Sequence, residues 1–244
     1  MSERGPRGIT IAIAATAALT ALLGAGCGSD IFNVDVNLQR QSYQANFGTT
    51  QGTIPLVACD PAGPDVCGSA VGPMQVQAMG ATATIQMACD AAASHCVADA
   101  RVVGADAVDV LQDDDFITKV ERKSVAVVRD VDVAITVPVN TLTFDVPALN
   151  LYVGPAGSAH ETDPGVVPVG VTAPLAAGIV VTDANARHLV VADESPAHAF
   201  IAQRVMAKQT MVFLVVMAPR VDAGQPIPAG ALQVDLVPKL TVGF

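Results

Sequence analysis

Apolar residues alternate with polar ones at a period of two in segment after segment of this chain. Phe32, Val34, Val36 and Leu38 are interleaved with Asn33, Asp35 and Asn37, and Leu232, Val234, Leu236, Leu240, Val242 and Phe244 with Gln233, Asp235, Lys239 and Thr241. A strand turns successive side chains to opposite faces, so this spacing gives strands with one buried and one wet face. The same alternation runs through Tyr43, Ala45 and Phe47, through Ile54 and Leu56, through Met74, Val76 and Ala78, and through Ala81, Ala83, Ile85 and Met87. It returns at Ala98, Ala100 and Val102 and at Val131, Val133, Ile135 and Val137. With 51% hydrophobic residues but only 4% aromatic, the core must be built from Val, Ala, Ile and Leu, and dense Val favours strands.

The departures from this pattern are informative too. After Val137 the apolar parity shifts to Leu142, Phe144 and Val146, which requires a bulge or turn, most naturally at Asn140-Thr141. Pro138 and Pro147 argue for edges or bends. The run from Met211 to Met217 is apolar on both parities, as in a central strand covered on both faces. Residues 111–123 read as a polar connection with one helical turn, and the Gly/Pro-rich stretch 154–174 as an irregular excursion. Ser195 as N-cap, Pro196 in the first turn and the line Ala197, Ile201, Val205 beside Phe200 predict one short helix near residues 196–207. The expected fold is an all-β antiparallel sandwich over residues 31–244 with that helix on an end or face. A subdivision near 110–124 stays open.

Cys59, Cys67, Cys89 and Cys96 are an even set for two disulfides. Each half of the set lies in a similar context, ACDPAGPDVC and ACDAAASHC, where a strand-like run enters a short loop. Local pairing, Cys59–Cys67 and Cys89–Cys96, is the expectation, with the second pair clamping a hairpin. A four-cysteine zinc site with His95 nearby is the alternative, against which the ligand spacings and an oxidising compartment both weigh.

The compartment follows from the first residues. Arg4 and Arg7 form a basic start, residues 9–23 an apolar run, and LLGAGC presents small residues before Cys27. The run is shorter than the roughly 18 apolar residues of a spanning helix, which favours cleavage. This segment resembles the signal peptide of bacterial lipoproteins. Ala25, Gly26 and Cys27 fit the last three places of the lipobox, while Gly24 stands where that family usually has Leu and Leu23 falls one step early. The resemblance implies removal of residues 1–26, acylation of Cys27, a short tether over 27–30 and membrane attachment through the lipid. Gly28, where inner-membrane retention would place Asp, implies the outer membrane of a bacterial envelope. An ordinary secretory peptide cut near Ala25 is the alternative.

Removal of the leader takes away Arg4, Arg7 and Glu3, leaving 218 residues with 11 basic against 22 acidic, a net charge of −11. Nucleic acid is excluded as a partner, because the longest basic cluster is Arg122-Lys123. No phosphate loop, dinucleotide fingerprint or hydrolase elbow occurs. Asp113-Asp114-Asp115 lacks the spaced ligands of a calcium loop and reads as a solvated acidic turn. His160, Glu161 and Asp163 could hold a metal but read as an exposed loop. Ser195, with Asp193, Glu194, His188 and His198 nearby, is better spent as a helix cap than as a nucleophile. No catalytic residue, metal ligand or cofactor is assigned. The alternating C-terminus ending in Phe244 resembles the last strand of outer-membrane β-barrels, but Pro238 interrupts it and Tyr43 and Tyr152, with no Trp, cannot form aromatic girdles. The expectation is a non-enzymatic lipid-anchored envelope protein that binds an envelope protein or serves as a structural module. A carrier or sensor of an apolar ligand is the alternative, and an unrecognised hydrolase a weaker one.

Overall fold

A computed structural model describes residues 32–48, 53–54, 56–64, 66–67, 77–79, 81–120 and 123–244. The leader, Cys27 and the tether lie outside the described residues, as do Met74 and Val76. Two antiparallel sheets face each other, as the alternation requires.

The first sheet is organised by β12 (Ala231–Gly243). One edge of β12 pairs with β6 (Val127–Asn140) along its length, and the other pairs in turn with β2 (Gln41–Asn46) and β1 (Asn33–Asn37). Two short strands complete it, β3 (Gln77–Met79) on β2 and β9 (Arg187–Val190) on β6. Pro238 is tolerated inside β12 because of where its missing N–H falls. Its carbonyl accepts from Leu38 N–H at 2.8 Å, and within a strand the N–H and C=O of one residue point to the same side. That side faces the link between β1 and β2, where the ladder is already broken.

In the second sheet β5 (His95–Val108) carries β4 (Ala81–Asp90) on one edge, and β10 (Met211–Met217) and the short β11 (Arg220–Val221) on the other. β7 (Asn150–Pro155) and β8 (Val167–Val171) extend it beyond β10. Part of the supposed irregular excursion is therefore a strand, β8. Strands from before and after residues 110–124 pair with one another in both sheets, and Asn33–Phe244 is one compact unit.

The core between the sheets is mainly aliphatic, with Leu236, Leu240, Ile135, Val133, Leu151 and Met211 buried beside the aromatic Phe213. Two helices close it. α2 (Pro196–Met206) buries Ala197, Ile201 and Val205, and the Ser195 side chain accepts from His198 N–H at 3.1 Å as the cap. α1 (Asp114–Val120) is longer than the single turn expected for 111–123 and buries Phe116 and Val120. β6 ends at Asn140, where the parity shift was expected, and holds a bulge opposite Gln233 and Asp235.

The cysteine pairing differs from the local expectation. Cys59 bonds Cys89 and Cys67 bonds Cys96, with sequence separations of 30 and 29. The hairpin of β4 and β5 does form, with Cys89 directly opposite Cys96. Segment 56–59 then lies against its tip: Cys59 N–H donates to Ser94 O at 3.0 Å and Cys96 N–H to Val57 O at 2.9 Å. That docking brings Cys59 and Cys67 over the hairpin, and packing between distant segments overrides the similarity of the two ACD loops. Closing loops of this length stabilises by roughly 3–4 kcal/mol each in the chain-entropy model.

Candidate functional site

The outer face of the first sheet carries the most developed polar site among the described residues. Odd-numbered residues of β12 point there, and Asp235 among them is buried although its parity faces solvent. Arg40, in the link between β1 and β2, lies over it. Arg40 Nη1 donates to Asp235 Oδ2 at 3.2 Å and Nη2 to Asp183 Oδ1 at 3.0 Å. Gln233 Nε2 donates to the other oxygen of Asp235 at 2.8 Å, and Gln44 Nε2 to Gln233 Oε1 at 3.3 Å. Both oxygens of this buried side chain are thereby satisfied, one by the guanidinium and one by an amide, which offsets the cost of removing a polar group from water.

This network runs into an open groove of about 280 Å³ lined by Gln44, Asn46, Val139, Ala231 and Gln233. The segment 176–181 borders the end of β6, because Asn140 Nδ2 donates to Ala176 O and Ile179 O and Val181 bridges Val137. Val139, Ile179 and Val180 are exposed along this margin. Amide groups that both donate and accept, beside exposed aliphatic side chains, suit a polypeptide surface.

Between the sheets, the two spaces found among the described residues are small. The space lined by Tyr43, Val102, Gly104, Val215 and Leu232 amounts to about 20 Å³, and that beside Ile135, Val146 and Leu175 to about 10 Å³. Such volumes hold a water molecule at most.

The residues singled out from the sequence find separate partners. His188 Nδ1 lies 2.6 Å from Asp132 Oδ2, half exposed on the first sheet, whereas His198 Nε2 donates to Arg129 O at 3.2 Å and Ser195 caps α2. Asp113 Oδ1 accepts from Phe116 N–H at 2.8 Å at the start of α1. Asp115 accepts from Asn37 N–H at 2.8 Å and from Lys119 Nζ at 2.9 Å, tying α1 to β1. Burial, the largest single influence, pushes the Asp115 carboxyl up, but the Asn37 N–H and Lys119 ammonium together hold it below the ordinary carboxylate value. Asp163 is also lowered, by the N–H groups of Ala159 and His160 at 2.7 and 2.9 Å. Glu161 pairs with Arg101 of β5. His160, Glu161 and Asp163 thus fasten the excursion to itself and to the sheet.

That fastening has a purpose the sequence did not reveal. Val103, Val212, Leu214 and Val216 form a second buried cluster, with Ala105, Tyr152 and Val166 packed on it. These residues lie on the outer face of the second sheet, opposite in parity to core residues such as Val102 and Phe213. The excursion brings Val166 onto that face. β10 is therefore covered on both sides, as its double-parity run requires.

Among the described residues the one close grouping of potential metal-ligating atoms is Cys59, Cys67 and Cys96, all of which are in disulfides. No helix among the described residues is long and apolar enough to cross a membrane. The sequence matches no protein-family model and no curated protein.

Proposed function

We propose that this chain is an exported, lipid-anchored envelope protein that acts as a non-enzymatic binding module, with the groove on its first sheet as the contact surface for a protein partner. The observation that carries the reading is that groove, where Gln44, Asn46 and Gln233 line a floor anchored by the Arg40–Asp235 pair. Two disulfides suit an oxidising compartment, and the lipobox ending at Cys27 supplies the anchor. Only residues 28–32 separate Cys27 from β1, so a fully extended tether holds the start of the sandwich within roughly 20 Å of the lipid.

Two experiments test the two halves. Cys27→Ala should abolish labelling by a fatty-acid analogue and release the protein from membranes; continued labelling would refute the anchor. A photo-crosslinking side chain at Gln233 should trap a defined partner in native membranes, while one at Asp99 on the second sheet should not. Equal adducts from both positions, or none from Gln233, would refute the groove as the contact surface.

A further inference from the structure

We infer that this protein matures through the local pairs Cys59–Cys67 and Cys89–Cys96, and that a thiol isomerase of the exporting compartment must convert them to the crossed pairs of the native fold. Loop closure favours the short separations, 8 and 7 residues against 30 and 29, by roughly eightfold on length alone. The hairpin adds to this bias, since β4 and β5 set Cys89 opposite Cys96 through local contacts before segment 56–59 needs to dock. Export in chain order favours the same pairs, because Cys59 and Cys67 emerge first.

The native site is built for the exchange. The Sγ atoms of Cys59, Cys67 and Cys96 all lie within 4.8 Å of one another, and Cys89 is bonded to the first of them. The isomerase thiolate attacks Cys89 Sγ, breaking Cys89–Cys96, forming a mixed disulfide and releasing the Cys96 thiolate. Cys96 attacks Cys67, forming Cys67–Cys96 and releasing the Cys59 thiolate. Cys59 then attacks Cys89 in the mixed disulfide, forming Cys59–Cys89 and returning the isomerase thiolate. Disulfides are conserved and no oxidant is consumed. The product persists once formed, because Cys67 and Cys96 are then 1% and 0% exposed and closed to further attack.

This inference rests on the exported reading only for the supply of the isomerase, and the chemistry is tested without it. The purified oxidised protein is reduced in denaturant and diluted into a glutathione redox buffer. Samples are quenched, alkylated and mapped without reduction. The local pairs should dominate the first two-disulfide species, and a catalytic amount of a dithiol isomerase should speed conversion to the crossed pairs at least tenfold. The Cys67→Ser/Cys96→Ser variant, left with one native pair, should form it directly, with no mispaired intermediate for the isomerase to rearrange. If the crossed pairs come first and the isomerase has no effect, the inference fails. If the local pairs persist with the isomerase present, the crossed pairing itself is overturned. Should refolding end in aggregation, the same mapping on protein exported from hosts with and without a disulfide isomerase decides: local pairs must accumulate without it, and identical maps refute the inference.

Discussion

Tyr43 of the first sheet fills the space that a side chain on Gly104 of the second would need: a Cβ at Gly104 would lie 2.7 Å from Tyr43 Cγ. The ring crosses the core so that its hydroxyl can donate to Phe213 O at 3.0 Å, and burial pushes the phenol's ionisation far above its ordinary range. The two sheets are thus keyed together by one glycine and one tyrosine. Gly104→Ala should destabilise by about 1–3 kcal/mol through overpacking, read from the midpoint of denaturant unfolding. In a Tyr43→Val background the same substitution should cost much less; additive effects in this double-mutant cycle would show that the residues do not share the space.

Acid should loosen α1 from β1 through Asp115. Its carboxyl is held below the ordinary value in the folded protein, so its contribution is complete above the unfolded pKa of about 3.9 and is lost as pH falls through the lower folded value. Asp115→Asn should therefore cost about 1 kcal/mol at neutral pH, and the difference from the parent should shrink below about pH 4. Unfolding measured from pH 7 to pH 2.5 checks the sign. A variant whose deficit grows in acid would contradict the assigned contacts.

The Arg101–Glu161 pair should govern how firmly the excursion covers the second sheet. Glu161→Gln removes the charge but keeps the shape. It should raise amide exchange across residues 156–166 and admit dye to the Val212–Leu214–Val216 cluster, with the main core unchanged. Because Arg101 is more than a third exposed, the loss of global stability should be small, at most about 1 kcal/mol. Unchanged exchange would mean that Val166 packing alone holds the segment.

These sites differ in how far the chain announces them. β12 and β10 were legible because burial on one or both faces leaves a parity signature, and α2 because Ser195 and Pro196 mark its start. Asp235 was not, because on β12 it has the parity of a wet residue and its burial comes from Arg40, 195 positions away. The crossed disulfides were hidden for the same reason: their pairing follows from where segment 56–59 docks, and two similar loops point instead to local closure. The excursion's Gly and Pro content gave its irregularity but not the surface it covers. Val103 and Val212 supply that information, and only once β5 and β10 are known to be neighbours.

Burial of both apolar faces of the second sheet, and of the inner face of the first, predicts how residues 28–244 behave on their own. An outer-membrane barrel would turn alternate residues toward lipid, whereas here Leu232, Val234, Leu236, Leu240 and Val242 of the C-terminal strand are all in the core. Residues 28–244, exported so that the disulfides form, should be soluble without detergent, resist proteolysis and unfold in one cooperative transition. Reduction of the disulfides should lower the unfolding midpoint, since both close loops of about 30 residues. Recovery only from detergent, with mobility on a gel that changes on heating, would overturn the sandwich in favour of a barrel.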